Sequence, residues 1–338
     1  MTTSPSAPAF TDLIDLAAER LGGAVLAAND EFFAPKEGLL KSTSPEWREG
    51  AYTERGKWMD GWETRRRRTP GEDWAIIRLG APGRIRGLTI DTSFFTGNFP
   101  ESASVDAASV NGVPALDALL DGTIPWTPLL PRTVLAGDTQ NRFAIPTSPE
   151  RVTHLRLTIH PDGGVARLRV HGDVVPDPTV LSPGEIVDLA AMEHGGFVTE
   201  CSDMWYGHRQ NLIQPGRSTH MGDGWETKRR RGPGHEWTIV RLARRATIER
   251  VELDTDHFKG NAPGSCMLEC ADAGASSATD SFDAAMAAWT VLMPDAPLQA
   301  HTRHRFTHEV ARQPCTHVRL NIYPDGGVAR LRLYGRIG

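Results

Sequence analysis

The chain repeats itself at long range, and this repeat limits its possible folds more than any other feature. Asp60-Gly61-Trp62-Glu63-Thr64 recurs as Asp223-Gly224-Trp225-Glu226-Thr227, and the run Pro161 to Arg169 recurs from Pro324 to Arg332. Both pairs (223 − 60 and 324 − 161) are 163 residues apart. The same offset aligns Trp74 with Trp237, Arg78 with Arg241, Asp91 with Asp254, Asn98 with Asn261 and His154 with His317. Upstream, the stretch from Asn29 to Leu40 aligns with Ser202 to Ile213 at an offset of 173, so the first copy carries about ten extra residues near Ser42 to Lys57. A period this long means a duplicated domain, because solenoid repeats run ~20–50 residues. The expected organisation is a disordered tail at 1–9, a first repeat at 10–175, a Pro-rich linker at 176–185 and a second repeat at 186–338.

Within each copy the hydrophobic pattern has period two. Trp74 to Gly80 alternates, with Ala75, Ile77 and Leu79 on one face, and Arg84 to Asp91 alternates less cleanly. Thr153 to His160 puts Leu155, Leu157 and Ile159 on one face and His154, Arg156, Thr158 and His160 on the other. The second copy repeats this with Val318, Leu320 and Ile322 inside and His317, Arg319, Asn321 and Tyr323 outside. Short alternating runs between Gly and Pro breaks predict antiparallel strands paired into sandwiches. Helical signal is thin: one helix over Phe10 to Leu21 with Thr11 as N-cap, a turn of helix at Ala115 to Leu120, and another near Asp280 to Ala288 capped by Ser281. The expected fold class is all-β, as tandem jelly-roll β-sandwiches of ~150 residues each.

Composition excludes several classes. Lys and Arg total 37 against 42 Asp and Glu, a net charge of −5, which argues against a general nucleic-acid binder. No apolar run is long enough for a transmembrane helix, and the Thr/Ser/Pro/Ala start has neither the basic nor the apolar region of a signal peptide. Four cysteines without a CxxC pair speak against a disulfide scaffold or structural zinc and suit a cytoplasmic setting. Arg supplies 32 of the 37 basic residues, many at matched positions in the two copies. Arg is the residue for forked recognition of carboxylates, although structural ion pairs compete as an explanation at each position.

Met59-Asp-Gly-Trp-Glu-Thr-Arg-Arg-Arg-Arg68 resembles the signature of the allantoicase family. Asp91 to Pro100, Asp254 to Pro263 and Tyr323 to Arg332 match that family as well, so the resemblance covers both halves, roughly Ala28 to Gly335. It implies tandem jelly rolls like galactose-binding domains, and hydrolysis of allantoate to ureidoglycolate and urea in purine (allantoin) degradation. Allantoate would be the small-molecule partner of a homo-oligomer with no nucleic-acid or membrane partner. No cofactor is evident, and a requirement for a divalent metal stays open. A non-catalytic tandem module binding a small anion or a sugar is the alternative.

Releasing urea from allantoate breaks a bond between a carboxylate-bearing carbon and a ureido nitrogen. The carboxylate wants a cation, the leaving nitrogen a proton, water a base, and the ureido arms amide partners. Glu63, Glu226, Asp91, Asp254 and His257 are the catalytic candidates. The aspartates end a strand just before an irregular Gly-Asn loop, where scaffolds place site residues. Arg66, Arg67, Arg229 and Arg230 are candidates for the carboxylate; in a strand Arg66 would share a face with Trp62, and a solvated ion-paired face is the competing reading. Asn98 and Asn261 are candidates for the ureido arms, with turn chemistry as the alternative. His257 and Lys259, a further substrate-binding candidate, stand only in copy two, where copy one has Phe94 and Thr96. Asp162 and Asp325 are explained by a Pro-Asp-Gly-Gly turn. His301, His304 and His308 share no strand or helix face, so no metal site is assigned.

Overall fold

The structure is a computed structural model and describes residues 10–177, 182, 184–274 and 282–337. The expected tail at 1–9, the linker positions 178–181 and 183, and the proposed Ser281 cap lie outside the described residues. The chain divides into two compact units, Met1–Val175 and Pro176–Gly338. In the first, the strands are β1 (Ile14–Asp15), β2 (Ala24–Ala28), β3 (Tyr52–Thr53), β4 (Gly56–Lys57), β5 (Trp62–Glu63), β6 (Asp73–Asp91), β7 (Ser102–Ala108), β8 (Thr127–Val134), β9 (Gln140–Ala144), β10 (Val152–His160), β11 (Gly164–Val165) and β12 (Arg167–Val174). In the second they are β13 (Ile186–Asp188), β14 (Phe197–Cys201), β15 (Trp225–Glu226), β16 (Glu236–Asp254), β17 (Ser265–Ala271), β18 (Thr290–Pro297), β19 (Arg303–Phe306), β20 (Pro314–Tyr323), β21 (Gly327–Val328) and β22 (Arg330–Ile337). One short helix, Leu116–Leu120, forms where the sequence predicts it.

Each unit is a β-sandwich, so the fold is all-β and duplicated as the alternation predicts. The long strand β6 serves both layers. Its first half pairs with β2 and β10, and β10 leads on to β7 and β8; its second half pairs with β12 and β9, and β12 leads on to β1. In the second unit β16 does the same. The sequence reads Trp74 to Gly80 and Arg84 to Asp91 as two strands, but they are one. In–out alternation continues through Ala81-Pro82-Gly83, and Pro82, which has no N–H to give, falls where the strand passes from one partner to the next. Leu155, Leu157, Ile159, Leu168 and Val170 are fully buried in the core.

Three local expectations are corrected. Residues 282–288 form a turn and not the helix expected near Asp280 to Ala288. Phe10 to Leu21 is not a helix. Tight 3-10 turns at Phe10–Asp12 and Glu19–Leu21 flank β1, and Leu16 and Ala17 are buried. The Leu16 N–H donates to Val170 O at 2.7 Å and its carbonyl accepts from Gly80 at 2.8 Å, so sheet bonds replace helical ones. The polar face of β10 is not open either: His154 is 2% exposed and Thr158 is buried, as are His317 and Asn321 in β20.

Candidate active site

The repeated motifs converge on one point in each unit. Asp60 is clamped by Arg167, which is 1% exposed, with Nη2 2.6 Å from Oδ2. Arg167 also donates to the carbonyls of Gly38, Asp60 and Ala166, and Lys41 Nζ holds the other oxygen of Asp60 at 2.8 Å. A side chain on Gly61 would come within 2.5 Å of Val165 O, so only glycine fits there. The buried Trp62 indole donates to Asp30 O at 2.8 Å. Glu63 is thus presented from fixed backbone, paired to Gly164 in β11 and to Ala34.

A second motif brings up its partner. Asp91 ends β6 and accepts from Ser93 N–H at 2.8 Å and Ser93 Oγ at 2.5 Å, which starts the loop from Thr92 to Asn98. Phe94 sits at φ 69°, an unusual conformation for a bulky side chain, and its N–H donates to Asp138 Oδ1 at 2.7 Å. Phe95 is buried with Met59 and Ala166. A Cβ on Gly164 would lie 1.9 Å from the Phe95 ring, so the Gly-Gly turn is what lets the two segments meet. Gly164 N–H donates to Asn98 O at 2.7 Å, and Asn98 Nδ2 donates to Glu63 Oε1 at 2.7 Å.

This carboxyl lines a cavity of about 670 Å3, within the usual range for small-molecule sites. Phe33, Trp47, Met59 and Phe94 form its apolar wall; Lys57, Asn98 and Asp138 join Glu63 as its charged and amide groups, and Thr96 and Gly97 complete the rim. Glu63 is 8% exposed, and burial pushes its pKa above the ordinary glutamate value, opposed by the bond from Asn98.

The second unit repeats the pair. Asn261 Nδ2 donates to Glu226 Oε1 at 2.5 Å, burial raises the Glu226 pKa, and Arg330 holds Asp223 at 3.2 Å. The surroundings differ. His257, at φ 68°, donates its N–H to His301 Nδ1 and places Nε2 3.1 Å from Ser218 O. Asp256 lies 2.7 Å from His301 and 2.8 Å from Arg217. Lys259 is exposed, at the position that Thr96 holds in the first unit.

The other sequence candidates fall elsewhere. The strand ends at Glu63, so the Arg runs are irregular rather than alternating. Arg67 is held by Asp73 at 3.0 Å and Arg230 by Glu236 at 2.8 Å, with their N–H groups donating to Asp162 and Asp325. Arg66 and Arg229 are exposed, and neither Arg66, Arg67 nor Asp91 is among the residues lining the cavity. Asp254 turns its carboxylate onto the N–H of Asp256 at 2.8 Å. Among the described residues no group of three or more His, Cys, Asp or Glu is placed to hold a metal ion. Sequence reasoning missed Phe33, Trp47, Lys57, Met59 and Asp138; the extra residues of the first copy were the one signal pointing to Trp47 and Lys57.

Comparison with known proteins decides the family. The allantoicase repeat model matches residues 14–175 and again 187–338. The chain belongs to the allantoicase family. It is 46% identical to an allantoicase of Dictyostelium discoideum over 97% of this chain and 89% of that one. It is 49% identical to a probable allantoicase of Nocardia farcinica over 97% and 96%. Among solved structures, allantoicase from Saccharomyces cerevisiae superposes with a TM-score of 0.78 at 34% identity, covering 95% of this chain and 92% of that one. The Glu–Asn pairs, and the turns that build them, lie within the two matched repeats.

Proposed function

We propose that this protein hydrolyses allantoate to ureidoglycolate and urea, with Glu63 as the acid–base group of the reaction. The observation that carries this reading is the raised, hydrogen-bonded Glu63 carboxyl in a cavity of small-molecule size, within a chain of this family over nearly its whole length. The ionised carboxylate takes a proton from water as the water oxygen bonds to the central carbon. The same proton then goes to the departing ureido nitrogen, so that one C–N bond breaks, one C–O bond forms and urea leaves neutral. A carboxyl whose pKa is raised above the ordinary glutamate value suits both directions of transfer. Asn98, with Nδ2 on Glu63, keeps its Oδ1 to accept from a ureido N–H, and Phe33, Trp47 and Phe94 offer flat faces to the planar arms. Glu226 and Asn261 repeat the arrangement in the second unit.

The two repeats at 10–175 and 186–338 are the functional modules of this reading. Four cysteines, all free and three of them buried, suit a reducing, cytoplasmic setting. The test is urea release from allantoate by the purified protein. Saturable release with equimolar ureidoglycolate is expected; no urea at high protein concentration, with and without added divalent metal, would sink the reading.

A further inference from the structure

We infer that Lys57, and none of the arginines, anchors the carboxylate of the substrate. The inference rests on reading the first-unit cavity as the site of allantoate hydrolysis. Lys57 is the only cation among the residues lining that cavity. Its Nζ lies 4.1 Å from the centre of the Trp47 ring, which steers the ammonium along the wall. It forms no ion pair among the described residues, whereas Lys41 and Arg67, nearby in sequence, are both held by carboxylates.

Charge balance points the same way. The cavity's two other ionisable groups, Glu63 and Asp138, are acids. A wall whose other ionisable groups are both acids favours an anionic substrate only where a cation joins them. Asp138 spends one oxygen on the Phe94 N–H, and Glu63 one on Asn98. Lys57, the cation of this wall, forms no ion pair among the described residues and so can meet a carboxylate.

The origin of Lys57 makes this specific to one unit. The hairpin of β3 and β4 that carries it, and Trp47 before it, lie in the stretch where the first copy is about ten residues longer, and at the 163-residue offset Lys57 faces His220. The Glu–Asn pair was duplicated, but this cation was not. In the second unit the position of cavity-lining Thr96 is instead a lysine, Lys259.

The decisive variants are Lys57→Met, which keeps the stem, and Lys57→Arg. Lys57 is exposed, so both should keep the wild-type Tm. Steady-state kinetics on allantoate should show Lys57→Met raising KM roughly 10- to 100-fold, the size of one charge-assisted hydrogen bond, with kcat changed less than about threefold. Lys57→Arg should recover most of the loss. In parallel, calorimetry with hydantoate, an unreactive molecule bearing one ureido group and one carboxylate, should show the same loss of affinity in Lys57→Met. The neutral amide of hydantoate should bind both proteins alike. An unchanged KM and unchanged hydantoate binding in Lys57→Met would overturn the inference while leaving the hydrolysis reading intact. Hydantoate binding that depends on Lys57 in a wild-type protein releasing no urea would do the reverse.

Discussion

Glu63 and Asn98 are coupled by the hydrogen bond between them. Burial raises the Glu63 pKa, and the Asn98 N–H is the hydrogen bond that holds it down. Removing that bond with Asn98→Ala favours the protonated carboxyl, so the Glu63 pKa rises further. If ionised Glu63 is the base, the acid limb of the kcat/KM–pH profile moves to higher pH in Asn98→Ala. An unmoved limb would assign that titration to another group. Both residues stood out in the sequence because they fall in long motifs present twice. The Arg run beside them was legible only as composition: reading it as a continued strand put Arg66 on the face of Trp62, whereas β5 stops at Glu63 and the arginines that follow are exposed or tied to Asp73. Lys57 and Trp47 left no repeated trace, since one copy alone contains them, and Asp138 reaches the cavity from a loop far along the chain.

Strands were easier to read than the turns that aim them. The alternation of β10 and β20 announced both strands, yet it assigned His154 and His317 to an open face that the structure buries. Each ring takes a 2.9 Å contact from the neighbouring threonine, Thr153 or Thr316. Burial first, and then Arg78 or Arg241 alongside, lowers both histidines from the usual value of 6.5 to about 4. The unfolded chain therefore binds these two protons at a higher pH than the folded one. Stability is complete above the unfolded pKa and falls as pH drops through the window from 6.5 to about 4. Each histidine should remove about 2 kcal/mol between pH 7.5 and pH 5, measured by urea denaturation at both pH values. A His154→Gln and His317→Gln double variant should flatten that slope, and an unaltered slope would place the loss on other groups. The failed helix at Phe10 to Leu21 had a warning in the sequence. Asp15-Leu16-Ala17-Ala18 recurs as Asp188-Leu189-Ala190-Ala191, followed in each case by Gly-Gly. A segment that pairs its first residues with a closing strand and turns at Gly22 or Gly195 can satisfy that pattern without a helix.

For the whole molecule, duplication carried over the scaffold more faithfully than the site. The buried clamps Arg167–Asp60 and Arg330–Asp223, the Gly-Gly turns and the Glu–Asn pairs all recur. Much of the matched arginine surplus is this scaffold: Arg156 pairs with Asp106 and Arg319 with Glu269, for example. What faces the pair did not recur. Phe94, Thr96 and Asp138 line the first cavity, and the second unit has His257, Lys259 and His301 at those positions. Two copies of the same carboxyl in different surroundings should not share the work equally. Loss of a general acid–base group costs ~10²–10⁴-fold, so Glu63→Gln should lower kcat on allantoate at least about 100-fold if the first unit does the chemistry. Glu226→Gln should then lower it much less, and the double variant should resemble Glu63→Gln alone. Two single variants that each lose about half the activity, with the double losing nearly all of it, would instead show two working sites. In that case Lys259, which stands where cavity-lining Thr96 stands in the first unit, would have to do for one unit what Lys57 does for the other.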